Sequence, residues 1–157
     1  MTPHAVPSRE TDETAAAVRG SLRRLAALDR EAAQHVADLA FLLSRVAAAD
    51  RTICPRETAR MEVLLQEQCA LDRAQAILVV EIARHRIDIA DCGVSYGISR
   101  ELRRTTPDER RGELLDSLVV VATADGLVTR SERERVRQLG CELGFSPDEV
   151  EAHVNRA

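Results

Sequence analysis

The stretch ATADGLVTRSER, residues 123 to 134, decides the reading of this chain, because a worn copy of it, AAADRTICPRET, occupies residues 47 to 58. One constant shift carries Asp50 onto Asp125 and Glu57 onto Glu132, and the same shift superposes Val46 on Val121, Ala49 on Ala124, Ile53 on Val128 and Leu64 on Leu139. After a slip of a single residue, Leu71-Asp72-Arg73 falls on Phe145-Ser146-Pro147. Each copy therefore reads as a long helix, an acidic turn, a second helix, a short turn and a third helix. A hairpin of this kind cannot cover its apolar stripe alone, so the two copies are expected to pack on each other about a pseudo-twofold axis.

Composition supports an all-helical chain. Apolar residues make up 45% of it but aromatics only 2%, so the core has to be built from Leu, Val, Ile and Ala. With few Gly and Pro, that palette favours packed helices over a sandwich or barrel. At 157 residues the chain suits one domain, with the duplication inside it.

Cap signals divide the sequence. Thr106-Pro107-Asp108-Glu109, Thr129-Arg130-Ser131-Glu132 and Ser146-Pro147-Asp148-Glu149 each place a hydroxyl three residues before a glutamate, the pattern of a capping box. Asp72 with Gln75, and Cys54-Pro55-Arg56-Glu57, are weaker versions. They predict helices at 12–28, 30–49, 55–69, 73–91, 96–105, 107–124, 130–143 and 147–156. The fold class is thus all-α, a single-domain bundle of about seven to eight helices built from two pseudo-symmetric helical-hairpin repeats. Residues 1–11, with two prolines and no periodicity, read as a flexible tail ahead of a domain at 12–157. Cys92 to Gly97 reads as the clearest break between the halves, and the helix at 73–91, apolar around most of its circumference, as the central one.

Charge and cysteines narrow the function classes. The 22 basic residues are all Arg, the net charge is −4, and almost no aromatic ring is available to stack on a base, which argues against nucleic acid as a partner. Cys54, Cys69, Cys92 and Cys141 form no CxxC pair, and no apolar signal region precedes the first helix, so reduced thiols in a cytoplasm are expected. The longest apolar runs, at 76–80 and 118–122, are far too short to span a bilayer. Any membrane contact would be peripheral.

Each acidic turn places one carboxylate at the end of a helix and another in the first turn of the next, with Gly126 suited to the left-handed conformation of a tight reversal. Asp125 and Glu132, and in the first copy Asp50 and Glu57, are candidate oxygen ligands for a divalent cation, Ca²⁺ or Mg²⁺ ahead of Zn²⁺. The same residues also serve without metal: the Asp closes an Asx turn and the Glu a capping box. In the first copy Arg51 replaces the glycine and stands where it would compete with a cation for Asp50.

These paired ADG-x-hydrophobic-x-x-x-E turns resemble the tellurite-resistance TerB family, a bacterial all-helical fold also found in membrane-anchored DnaJ-like co-chaperones. The likeness spans about residues 35 to 155 and is strongest in ELLDSLVVVATADGLVTRSERERVRQLGCELGFSPDEVEAHV, residues 113 to 155. The resemblance implies divalent metal at Asp50, Glu57, Asp125 and Glu132. It also implies a role in stress response and complex assembly at the inner face of the membrane, and no catalytic activity.

Other constellations carry less. Glu31, His35 and Asp38, and again Glu81, His85 and Asp88, place three ligand types on one helix face, a spacing that solvated helix surfaces also use. Cys54 near a helix start has no histidine close in sequence to activate it. Residues 18–28 form a basic amphipathic helix whose Arg19, Arg23 and Arg24 are candidate partner-binding residues, on a protein or an anionic lipid surface. The expected function is a non-enzymatic binding or scaffold module; the alternative is an adaptor without metal whose acidic turns are caps only.

Overall fold

The computed structural model describes residues 9–87 and 92–156. Within them lie eight helices: α1 (Arg9–Ala26), α2 (Arg30–Ala47), α3 (Pro55–Cys69), α4 (Arg73–Ile87), α5 (Cys92–Thr105), α6 (Asp108–Ala122), α7 (Arg130–Glu142) and α8 (Pro147–Val154). No strand occurs among the described residues. The architecture is the expected all-α bundle, and α2–α3–α4 is repeated as α6–α7–α8. Across the repeats α2 packs on α6, while α2 also meets α7 and α3 meets α6. That reciprocal pair of contacts is what a pseudo-twofold axis between the hairpins produces.

The predicted boundaries hold closely for α2, α3, α7 and α8, because their ends are written in side-chain chemistry. Asp29 caps α2 by accepting from the Ala32 N–H at 2.8 Å. Ser146 and Glu149 form a reciprocal box at the start of α8, with Pro147 in its first turn. Asp72 and Gln75 exchange bonds of 2.8 and 2.9 Å at the start of α4. The box expected at Thr106 does not form: Pro107 itself occupies the cap position of α6 and supplies no side-chain bond, leaving Thr106 one residue too far out. Asp108 and Glu109 still place negative charge at that helix N-terminus.

Further expectations change or fall outside the described residues. The segment from Cys92 to Gly97 is the first turn and a half of α5 and not a break. The last residues of the helix expected at 73–91, 88–91, lie outside the described residues, as do residues 1–8 of the expected tail; α1 begins at Arg9. Finally, the central helix is α2, not α4. Leu39, Leu42, Leu43, Val46 and Ala47 of α2 are sealed from solvent, whereas α4 buries only Gln75, Ala76, Val80 and Ala83. Ile82 of α4 is 55% exposed. An apolar circumference did not make α4 central, because α4 lies at the edge of the bundle between the α2–α3 pair and α1. The second repeat mirrors α2 with Leu114, Leu115, Leu118 and Val121 of α6. Where α7 crosses α8, Gly140 lets the backbones approach: a Cβ there would lie 2.4 Å from a methyl carbon of Val150.

Candidate functional site

The two acidic turns sit at equivalent ends of the repeats, and their geometry is the same. After α2, Asp50 Oδ1 accepts the Thr52 N–H at 3.0 Å; after α6, Asp125 Oδ1 accepts the Leu127 N–H at 3.0 Å. The residue following each aspartate is left-handed, Gly126 at φ 88° and Arg51 at φ 70°. The first turn therefore holds the same conformation without the glycine, at a backbone cost of about 1 kcal/mol. Arg51 and Asp50 form no ion pair among the described residues, so the expected competition for Asp50 is not seen in this conformation.

At the next helix the glutamates close the caps. Thr129 N donates to Glu132 Oε2 at 2.7 Å, and Glu132 N returns a bond to Thr129 Oγ1 at 3.1 Å. Cys54 N donates to Glu57 Oε2 at 2.6 Å, and Glu57 N points to Cys54 Sγ at 3.4 Å. Cys54 thus acts as a helix cap, in place of the hydroxyl used by the second copy. Each glutamate commits one carboxylate oxygen to its own turn.

The fold then brings the two glutamates together. Glu57 and Glu132 are 3% and 2% exposed, and the Glu57 carboxyl lies beside that of Glu132. Glu57 Oε1 is sealed from solvent with no hydrogen-bond partner. Burial pushes the Glu57 carboxyl above its ordinary pKa, the hydrogen bonds from Cys54 hold it down, and the neighbouring Glu132 pushes it up again. Two carboxyl groups sharing a buried site cannot both stay ionised cheaply; a shared proton or a cation relieves them. Asp50 and Asp125 are exposed, each with one oxygen in its Asx turn. Among the described residues no three His, Cys, Asp or Glu side chains gather tightly enough to enclose an ion.

The remaining candidates separate. Arg24 is tied within the molecule, its Nη2 and Nε reaching Asp72 Oδ2 at 2.7 and 3.1 Å and its Nη2 bonding Ser21 as well. Arg19 and Arg23 are exposed on α1 beside Val18 and Leu22, which are 42% and 46% exposed. On α2, Asp38 is buried and accepts from Gln34 at 2.8 Å, and its burial raises its pKa. His35 is half-buried, and desolvation lowers its pKa. Of the second triad, Glu81 pairs with Arg84 at 2.8 Å, and Asp88 lies outside the described residues. Cys54, Cys69 and Cys141 are free thiols; burial pushes that of Cys69 up to about 11.

Sequence reasoning missed the buried pair of Arg45 and Glu142, 3.2 Å apart and 7% and 9% exposed. Arg45 also bonds Ser99, so the pair joins α2, α7 and α5. Its members lie far apart in sequence and carry no local pattern to betray them.

No curated protein and no solved structure matches this chain. A family model described as tellurite resistance protein TerB matches residues 35–154. That span takes in both acidic turns, α2 from residue 35 onward and every helix from α3 to α8, and it places the chain in the TerB family.

Proposed function

We propose that this TerB domain is a non-catalytic binding and scaffold module whose paired acidic turns hold a divalent cation weakly. The observation that carries the reading is the buried pair itself: the Glu57 and Glu132 carboxyls lie side by side, and no N–H or O–H donor reaches Glu57 Oε1. An oxygen-only donor set of this kind suits Ca²⁺ or Mg²⁺ ahead of Zn²⁺. Glu57 and Glu132 would be the inner ligands, and Asp50 and Asp125, exposed in the same two turns, would act on the ion at longer range. Bound there, a cation supplies positive charge to the carboxyl pair and ties the start of α3 to the start of α7 across the pseudo-twofold axis. The few ligands and the oxygens already committed to the turns keep the affinity low.

The broader role in this reading is assembly of a bacterial stress-response or envelope-associated complex from the cytoplasmic side. Among the described residues no helix is long and apolar enough to cross a membrane, so contact with a membrane would be peripheral. The exposed Arg19 and Arg23 with Val18 and Leu22 on α1 are the candidate partner surface.

Calorimetric titration of Ca²⁺, Mg²⁺ and Zn²⁺ into chelator-treated protein tests the cation. Heat of binding for Ca²⁺ or Mg²⁺, lost in Glu57→Gln and weakened in Asp125→Asn, is the expected result. Absence of heat with all three ions leaves the second reading, an adaptor whose turns are caps only. That reading is favoured by the backbone N–H bonds that occupy one oxygen of each of the four carboxylates.

A further inference from the structure

On another face of the bundle, α5, α6 and α7 enclose an open groove of about 660 Å³. Its walls carry Tyr96, Arg100, Arg103 and Arg104 from α5, Arg111 from α6 and Cys141 from α7. Spacings of three and four residues put the α5 side chains on one helical face. Tyr96, the only tyrosine in the chain, stands at the edge of this face and is 54% exposed.

The charges do not cancel. Arg104 is matched by Glu101 at 2.7 Å, Arg111 bonds Asp108, and Glu142, which with Gln138 also lines the groove, is matched by Arg45. Arg100 and Arg103 are exposed and form no ion pair among the described residues. Arg103 is also crowded against another cation. A Cβ built on Gly144 would fall 2.8 Å from Arg103 Nε and 3.2 Å from Arg111 Nη1, so both guanidinium groups converge on the space that a side chain would fill. Arg111 is held there by bonds from Nη1 to the Leu143 and Arg103 carbonyls at 3.1 and 3.4 Å, and its Nε is buried without a partner. In a chain of net charge −4, two uncompensated guanidinium groups beside a third, at the mouth of a groove this size, form a concentrated positive site.

We propose that this groove binds a phosphate-bearing ligand. A phosphate monoester carries between one and two negative charges near neutral pH, roughly −1.5 to −2, and three acceptor oxygens, which matches the two surplus charges and the forked donors of Arg100 and Arg103. A lone carboxylate would neutralise only one of them. The groove volume falls in the range of small-molecule sites, about 300–1,000 Å³, and the Tyr96 ring with the arginine stems gives the body of the ligand an apolar wall. The phosphate can come from a soluble organic phosphate or from a lipid headgroup.

The test uses the full chain at low salt with inorganic pyrophosphate, ATP, and phosphatidylcholine vesicles with and without phosphatidic acid. Binding of pyrophosphate or ATP assigns a soluble ligand, and binding only to the phosphatidic acid vesicles assigns a headgroup. In either case Arg100→Gln/Arg103→Gln should weaken binding by about tenfold or more, with the loss growing smaller as salt rises. Because both side chains are exposed, the double variant should keep its unfolding midpoint; should it not, Arg100→Gln alone serves, with a loss of about threefold or more expected. No binding of any phosphate probe, binding that these variants leave unchanged, or binding of a polyglutamate peptide in place of phosphate would overturn the proposal.

Discussion

At the scale of single residues, Glu57 shows how burial and capping pull against each other. Its cap bond to Cys54 favours the ionised carboxyl, but burial and the Glu132 carboxyl favour the neutral one, and these prevail. A carboxyl whose folded pKa lies above its unfolded value of about 4.5 gives its full contribution to stability below that value, and the contribution is lost as pH rises through the folded pKa. In chelator, Glu57→Gln should therefore unfold at higher urea than the parent at pH 7, and the gap should close as the pH is lowered towards about 4. The amide oxygen keeps the bond to Cys54 N, and the NH₂ supplies Glu132 with a donor. Urea titrations across that pH range check this, and a variant less stable than the parent at pH 7 would refute it. In the proposed cation site the same substitution would remove an inner ligand, so apo stability and cation affinity should move in opposite directions.

At the scale of the element, the two helix hairpins compare a well-written turn with a worn one. The backbone is conserved between them where the residues are not: Arg51 and Ala70 take positive φ in the first repeat, at 70° and 53°, where Gly126 and Gly144 take it in the second, at 88° and 103°. The first repeat carries strain that the second avoids, and a sulfur cap at 3.4 Å where the second has a hydroxyl at 3.1 Å. Restoring the second copy's chemistry should thus stabilise the first. Arg51→Gly should gain about 0.5 kcal/mol after the extra freedom of glycine in the unfolded chain is offset. Cys54→Ser should gain a similar amount, about 0.5–1 kcal/mol, by strengthening the cap. Thermal unfolding of the single and double variants measures both, and additivity is not expected because the two residues share one turn.

At the scale of the whole molecule, three helices meet at Arg45 and Glu142, whose charges are nearly sealed from water. Removing one partner strands the other, so Arg45→Met should cost about 3 kcal/mol or more. Adding Glu142→Leu should recover most of that loss, since the desolvation penalty of the stranded carboxylate disappears with it. Equal destabilisation by the single and double variants, in chemical denaturation, would show that packing and not charge sets the cost. The Gln138 amide, which bonds Glu142 Oε1 at 2.9 Å, loses its acceptor in the double variant and accounts for a remainder.

The sequence determined what is local or repeated. Caps at Asp29, Thr129 and Ser146 set helix ends because they bond within three residues of themselves, and the duplicated turn announced both the family and the pseudo-symmetric fold. Residues far apart in the chain were decided by tertiary structure alone. Which apolar helix lies inside depends on what packs around it, so α2 and not α4 became the axis. The helix predicted at 96–105 already carries Tyr96, Arg100, Arg103 and Arg104, but only its packing against α6 and α7 turns that basic face into a groove. The acidic turns divide between the two levels: spacing predicted each cap, but that Glu57 and Glu132 face one another, one oxygen buried and unsatisfied, follows from the hairpins closing about their axis. Hydrogen bonds within a turn are fixed by neighbours in the chain, whereas burial and charge proximity belong to surfaces that exist only once the chain has folded.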